Sequence, residues 1–234
     1  GHVLRFQCAP DRDRSAFHPL ILHIWQAAGI ERDDADADKL AKLKALAART
    51  LSDADAAMPY LAWLLQIECG VPARVADAPT DEVKQNVIEI LGLYLTGQAH
   101  TMPVTCLVED LHWIDASSEE FLQAFTASVS NHRILLICTT RQYEPAWLSQ
   151  PAVSILTVNR LDRQESVQVV RGLLGSTLDS RTAERICGIA EGVPLYLEEL
   201  ARSWLNESPG LPDICEDARD PKAQEKRLPA NASE

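Results

Sequence analysis

Two short segments decide what this chain can become. "VTCLV" at 104–108 and "RILLICT" at 133–139 are apolar with no alternation. Between them Phe121, Leu122, Phe125 and Val129 recur on a helical period, behind Ser117 and Glu120 spaced as an S-x-x-E capping box. Strand, helix, strand with continuous apolar strands predicts a parallel sheet covered by helices on both faces. "VLRFQC" at 3–8 predicts one more strand and "VSILTV" at 153–158 another. The fold class is therefore α/β.

The rest of the chain is helical in pattern. Residues 17–28 are strongly apolar, with Pro19 suited to a first turn and Gly29 to a stop. Leu40, Leu43 and Leu46, then Leu61, Leu64 and Leu65, recur at helical spacing inside a block, around 38–98, that has no strand signal. Thr80 is placed to cap a helix whose buried stripe is Val83, Val87, Ile90, Leu91 and Tyr94. Beyond Asn159 three more helices are expected. One starts at Asp162 and Glu165 and carries Val167, Val170 and Leu174; one covers 179–190; one follows Pro194. The expected organisation is a core over 1–158, a small helical domain over 159–205, and a linker or disordered tail over 206–234, where large apolar residues become scarce.

Composition excludes several classes. Net charge is −12, and no dense Lys/Arg cluster offsets it, so direct nucleic-acid binding by this segment is disfavoured. No apolar run reaches membrane-span length. "GHVLRFQCAP" lacks the features of a signal peptide. The six cysteines include no C-x-x-C pair, and Cys106 and Cys138 lie inside apolar runs. A reduced, cytoplasmic chain is expected, without disulfides or zinc.

Chemistry points to "CLVEDLHWID" at 106–115. Glu109 and Asp110 follow an apolar strand, and in parallel sheets ligands gather at the carboxyl ends of strands. Carboxylates there can hold a hard cation through water, and the cation neutralises phosphate oxygens. A second acid can orient an attacking water. The same two acids also fit a capped, solvated strand end. His112 and Trp113 are expected to pack beneath the site, and Asp115 to begin a helix.

"CLVEDLHWIDASS" resembles the Walker B segment of the STAND group of P-loop ATPases, relatives of the AAA+ and Orc-type domains. The likeness is to the branch linked to class III adenylate/guanylate cyclases and LuxR-type regulators. "RFQCAPDRDRSAFHPLILHIWQAAGI" resembles the strand and helix after the phosphate loop. "LLICTTRQYEPAW" resembles the sensor strand, "VNRLDRQESVQVV" the start of a helical lid, and "EGVPLYLEEL" the lid's G-x-P motif. These pieces fall in family order over residues 3–205.

The resemblance implies an ATP·Mg²⁺ site. Glu109 would take the magnesium-side position, where many relatives have Asp, and Asp110 the position associated with the hydrolytic water. Which carboxylate serves the metal stays open. Arg141 would sense the terminal phosphate; a surface ion pair is its plain alternative. Gly192 and Pro194 would contribute to the adenine pocket, although helix initiation also explains Pro194.

No G-x-x-x-x-G-K-[ST] occurs in the chain. In the resembled family that phosphate loop precedes the strand matched by "VLRFQC", and its own strand is central in the sheet. A buried apolar side chain contributes roughly 1.5–3 kcal/mol, so losing such a strand is large against typical net stabilities of about 5–15 kcal/mol. The chain is therefore expected to be a fragment that starts after the loop, or else a degenerate relative. Three functions follow. The first is an ATP-binding switch, an ATPase in the longer protein and inactive alone, controlling a covalently linked cyclase or DNA-binding output domain. The second is a non-catalytic protein-interaction module. The third is a metal-dependent hydrolase using Glu109, Asp110 and Asp115. Self-assembly into a homo-oligomer stays open.

Overall fold

The structure is a computed structural model that describes residues 1–11, 15–141, 143, 145–175 and 179–207. It divides into two compact units, Gly1–Ile155 and the residues from Leu156 onward.

The first unit begins with strand β1 (His2–Gln7). Helices α1 (His18–Ala28), α2 (Asp36–Thr50), α3 (Ala54–Leu64), the short α4 (Ala73–Ala76) and α5 (Thr80–Ala99) follow. Strand β2 (Val104–Glu109), helix α6 (Ala116–Val129) and strand β3 (Ile134–Cys138) complete its regular elements. The three strands form one sheet in the order β1-β2-β3, with both pairings parallel. Leu4, Cys106 and Leu136 lie in register across it.

One face of the sheet is buried. Phe6, Cys106 and Val108 meet Leu20 of α1 and Phe121 and Phe125 of α6 around a small apolar void. These residues belong to the main core, which extends through Leu43, Leu61, Val87 and Leu91 of the helical block. No helix among the described residues covers the other face. Val3 is 54% exposed, Leu135 57% and Ile137 41%. The expectation of helices on both faces is therefore corrected. Topology gives the reason: three strands in sequential order advance one way, and right-handed crossovers leave every connecting helix on the same side.

A second correction concerns "VSILTV". Residues 153–158 form no strand, and Ile155, Leu156 and Val158 are 70%, 87% and 87% exposed. Strand composition does not make a strand unless a partner edge meets it.

Local signals explain the helix ends. Gly29 takes a left-handed conformation at φ 66° and closes α1. The expected box of Ser117 and Glu120 does not form. Asp115 caps α6 instead, accepting from the backbone N–H groups of Ser117 and Ser118. Glu120 reaches across to α5, accepting from Gln85 Nε2 at 2.6 Å and pairing with Lys84. Thr80 is the first residue of α5 and makes no capping bond; Pro79 precedes it.

The second unit contains helices α7 (Arg163–Leu174), α8 (Ser180–Ala190) and α9 (Pro194–Glu207). Val170, Ala183, Ile186, Ala190 and Leu197 form its core. Asp162 and Glu165 make a complete capping box at α7. Asn206 and Glu207, expected to open a tail, close α9 instead, and 208–234 lie outside the described residues.

Candidate functional site

The carboxyl ends of all three strands meet in one polar shelf. Gln7 ends β1 opposite Glu109, which ends β2. Cys8 N–H donates to the Glu109 carbonyl at 3.0 Å. Just past β3, Thr139 N–H donates to the Val108 carbonyl at 2.9 Å, and Leu111 N–H donates back to the Thr139 carbonyl at 2.8 Å. The chain turning out of β2 is thus tied to both flanking strands.

Asp110 is the most constrained residue of the shelf. It has a left-handed backbone at φ 55° and ψ 46°. Aspartate tolerates that region better than most residues, and such conformations concentrate where surrounding structure enforces them. The enforcing contacts are visible. Gln7 Nε2 donates to Asp110 Oδ2 at 2.9 Å, and Asp110 N–H donates to Thr139 Oγ1 at 3.2 Å. A side chain at the end of β1 therefore holds the carboxylate just past β2, and one just past β3 fixes its backbone.

Glu109 is half-buried and lies on the uncovered face of the sheet, since alternation puts it with Thr105 and Leu107. Its carboxylate accepts no hydrogen bond among the described residues. Two neighbouring carboxylates with unengaged oxygens fit magnesium, which keeps several waters and binds through one or two acids plus phosphate oxygens. Among the described residues no cluster of three or more His, Cys, Asp or Glu side chains forms a protein-only metal cage. Arg141 is exposed two positions beyond Thr139 and forms no ion pair among the described residues.

Asp115 belongs to the scaffold beneath the shelf. It is buried, and its Oδ1 accepts from Phe17 N–H at 2.9 Å and Ser118 N–H at 2.9 Å. Its Oδ2 accepts from His18 N–H at 3.2 Å and from Ser118 Oγ at 2.7 Å. One carboxylate therefore caps α1 and α6 together. Fully engaged, it cannot serve as a metal ligand, which removes it from the hydrolase triad considered above. Trp113 is 42% exposed, so it does not pack under the site; His112 lies beside it, with ring centroids 5.1 Å apart.

The thiols nearby are inert. Burial pushes Cys8 up to about 12, with Asp115 and Asp110 adding to the effect, and burial raises Cys138 to about 11. Neither can present a thiolate near neutral pH. Tyr143 is also held well above its ordinary value, first by burial and then by its hydrogen bond to Glu119.

Gly192 and Pro194 sit in the second unit. Gly192 has φ 76°, and a Cβ there would lie 2.2 Å from the Leu161 carbonyl oxygen. Leu161 N–H donates to the Gly192 carbonyl at 2.8 Å. The glycine is thus required by close backbone approach. Pro194 is the first residue of α9, where its missing N–H costs nothing.

Sequence reasoning missed Gln7 and Thr139. Each stands at the end of a predicted strand, and that position was the available signal.

No family model matches the chain, and no solved structure matches it. The chain is similar to an uncharacterized protein of Rhizobium meliloti (strain 1021), 26% identical over an alignment of 215 positions that covers 88% of this chain. The alignment covers 20% of the relative, so the chain spans about a fifth of the length of the curated relative it matches.

Proposed function

We propose that this chain is part of an ATP- and Mg²⁺-dependent switch of the P-loop class, of the STAND type, in which nucleotide state controls a covalently linked output domain such as a cyclase or a DNA-binding module. The observation that carries the reading is the Glu109–Asp110 pair after the middle strand of a parallel sheet, with Asp110 aimed by Gln7 and Thr139. In that reading Glu109 and Asp110 hold the metal, directly or through water. The metal, when bound, neutralises charge on the phosphates. Asp110, fixed in its strained turn, orients the water, with Gln7 limiting its rotation. Arg141, which forms no ion pair among the described residues, is available to a terminal phosphate. In the second unit, Gly192 and Pro194 are the residues proposed toward the adenine.

The test uses the longer polypeptide that contains this segment. The double substitution Glu109→Gln and Asp110→Asn is expected to lower ATP turnover at least about 100-fold, the scale of losing metal and water positioning. Circular dichroism and the melting temperature should change little, since neither carboxylate is buried. Turnover equal to that of the parent protein would end the assignment.

A second reading is favoured by one specific observation: no G-x-x-x-x-G-K-[ST] occurs in the chain. On that reading the fold is a non-catalytic scaffold for protein partners. A phosphate-loop motif shortly upstream of Gly1 in the reading frame supports the switch; its absence supports the scaffold.

A further inference from the structure

The amino end of the sheet, opposite the shelf, carries a pair of histidines that the nucleotide reading does not use. His100 closes α5 just before β2, and His132 lies in the connection from α6 to β3. Their rings stand edge to face, 78° apart in plane, with centroids at 6.4 Å. The two connections that carry them are tied together. Val104 N–H donates to the Arg133 carbonyl at 2.9 Å, and the Arg133 guanidinium donates to the carbonyls of Ala99 and His100. The last carbonyls of a helix favour such a cation. Arg133 thus pins the backbone of His100 to the segment that holds His132.

His132 is oriented further. Its Nδ1 lies 3.0 Å from the Ser128 carbonyl oxygen. A carbonyl only accepts, so Nδ1 carries the proton and Nε2 keeps its lone pair. A backbone carbonyl holding one ring nitrogen is a common support for a metal-binding histidine. The ring of His100 is exposed and makes no hydrogen bond among the described residues, so it is free to turn. That freedom matters for reach. An ion about 2.0–2.1 Å from one nitrogen of each ring lies roughly 3.2 Å from each ring centre. A separation of 6.4 Å is therefore at the limit that one ion can bridge, and a turn of His100 toward His132 closes the pair.

We propose that His100 and His132 form a site for one divalent transition-metal ion of the zinc, nickel and copper class. Imidazole suits these ions, whereas magnesium and calcium prefer oxygen. Among the described residues no group of three or more His, Cys, Asp or Glu side chains could hold a metal, so the chain supplies two ligands and water completes the coordination. The expectation against zinc rested on cysteine spacing, which a pair of histidines does not use. The bound ion clasps the α5–β2 connection to the α6–β3 connection. The site lies at the other end of the strands from Glu109 and Asp110 and does not depend on the nucleotide reading.

Competition for Zn²⁺ between the 234-residue chain and a chromophoric chelator tests it. The chain should withdraw Zn²⁺ from the chelator, and its melting temperature should rise with added Zn²⁺, because an ion bound only by the folded chain stabilises it. His100→Ala should weaken the binding at least about tenfold, since loss of a mere supporting partner already costs about 10–100-fold. His132→Ala should do the same. His100 is exposed, so its variant should fold like the parent, which circular dichroism without metal checks. No withdrawal of Zn²⁺ by the parent chain overturns the proposal, and so does an affinity that His100→Ala leaves unaltered. Zn²⁺ kept by the His100→Ala chain but lost with Glu109→Gln and Asp110→Asn puts the ion on the shelf and overturns it as well. No nucleotide is added, so a failure of ATP binding leaves this result standing.

Discussion

Asp115 is where residue chemistry reaches furthest. Its role as a helix-entry residue is legible, because aspartate before a helix accepts from the first turn's N–H groups. Its second role is not. The N–H groups of Phe17 and His18, 98 and 97 positions earlier, meet the same carboxylate. Phe17 has a left-handed backbone at φ 58° and a side chain that cannot cap, so α1 borrows its cap from the α6 entry. Asp115→Asn keeps size but replaces one acceptor oxygen with a donor amide facing N–H groups. Leaving buried donors unpaired costs about 1–3 kcal/mol, and bonds to a charged acceptor are worth more than neutral ones. The variant is expected to lose roughly 3 kcal/mol in urea unfolding; a loss below about 0.5 kcal/mol would show that the double cap is not needed. Glu109 and Asp110 were legible as strand-end acids, whereas the grip of Gln7 and Thr139 on Asp110 required the register of three strands.

At the scale of elements, α5 shows both what periodicity reveals and what it hides. Its apolar stripe is readable, and Val83, Val87, Leu91 and Tyr94 are buried. Its glycines look alike in the sequence and differ in the fold. A Cβ on Gly97 would lie 1.9 Å from the Thr50 carbonyl oxygen, where α5 meets the end of α2. A Cβ on Gly92 would meet nothing within 4 Å. Alanine is favoured over glycine in a helix interior by about 1 kcal/mol. Gly92→Ala should therefore stabilise by up to that amount. Gly97→Ala must push two backbones apart, and overpacking of this kind costs about 1–3 kcal/mol, so it should destabilise. Opposite signs in paired melting curves are the expected outcome, and equal signs would remove the close approach. "VSILTV" failed as a strand for a related reason. Strand composition is local, but the ladder that satisfies a strand comes from a distant segment, and among the described residues no strand pairs with it.

At the scale of the whole molecule, the parallel sheet is present but only half enclosed. Continuous apolar strands announced burial on both faces, and one face stays exposed because all of its crossovers run one way. No helix is long and apolar enough to cross a membrane among the described residues. The nucleotide reading has a direct consequence at this scale. Phosphate binding by P-loop proteins relies on a backbone N–H cradle and a lysine that this chain does not contain. The 234-residue chain by itself should bind ATP with a dissociation constant of roughly 1 mM or weaker in calorimetric titration. Micromolar affinity would mean that a different set of residues holds the phosphates.

The sequence by itself determined the α/β class, nearly every helix, three of the four expected strands and the two acids of the shelf. These are local matters of period, cap and composition, written within a dozen neighbouring residues. The tertiary structure alone decided that Asp115 joins two helix starts, that Gln7 and Thr139 hold Asp110, that Gly97 rather than Gly92 lies against another backbone, and that one sheet face is uncovered among the described residues. Each of these depends on which distant backbones come within a few ångströms of one another, and residue pattern along a chain carries no record of that.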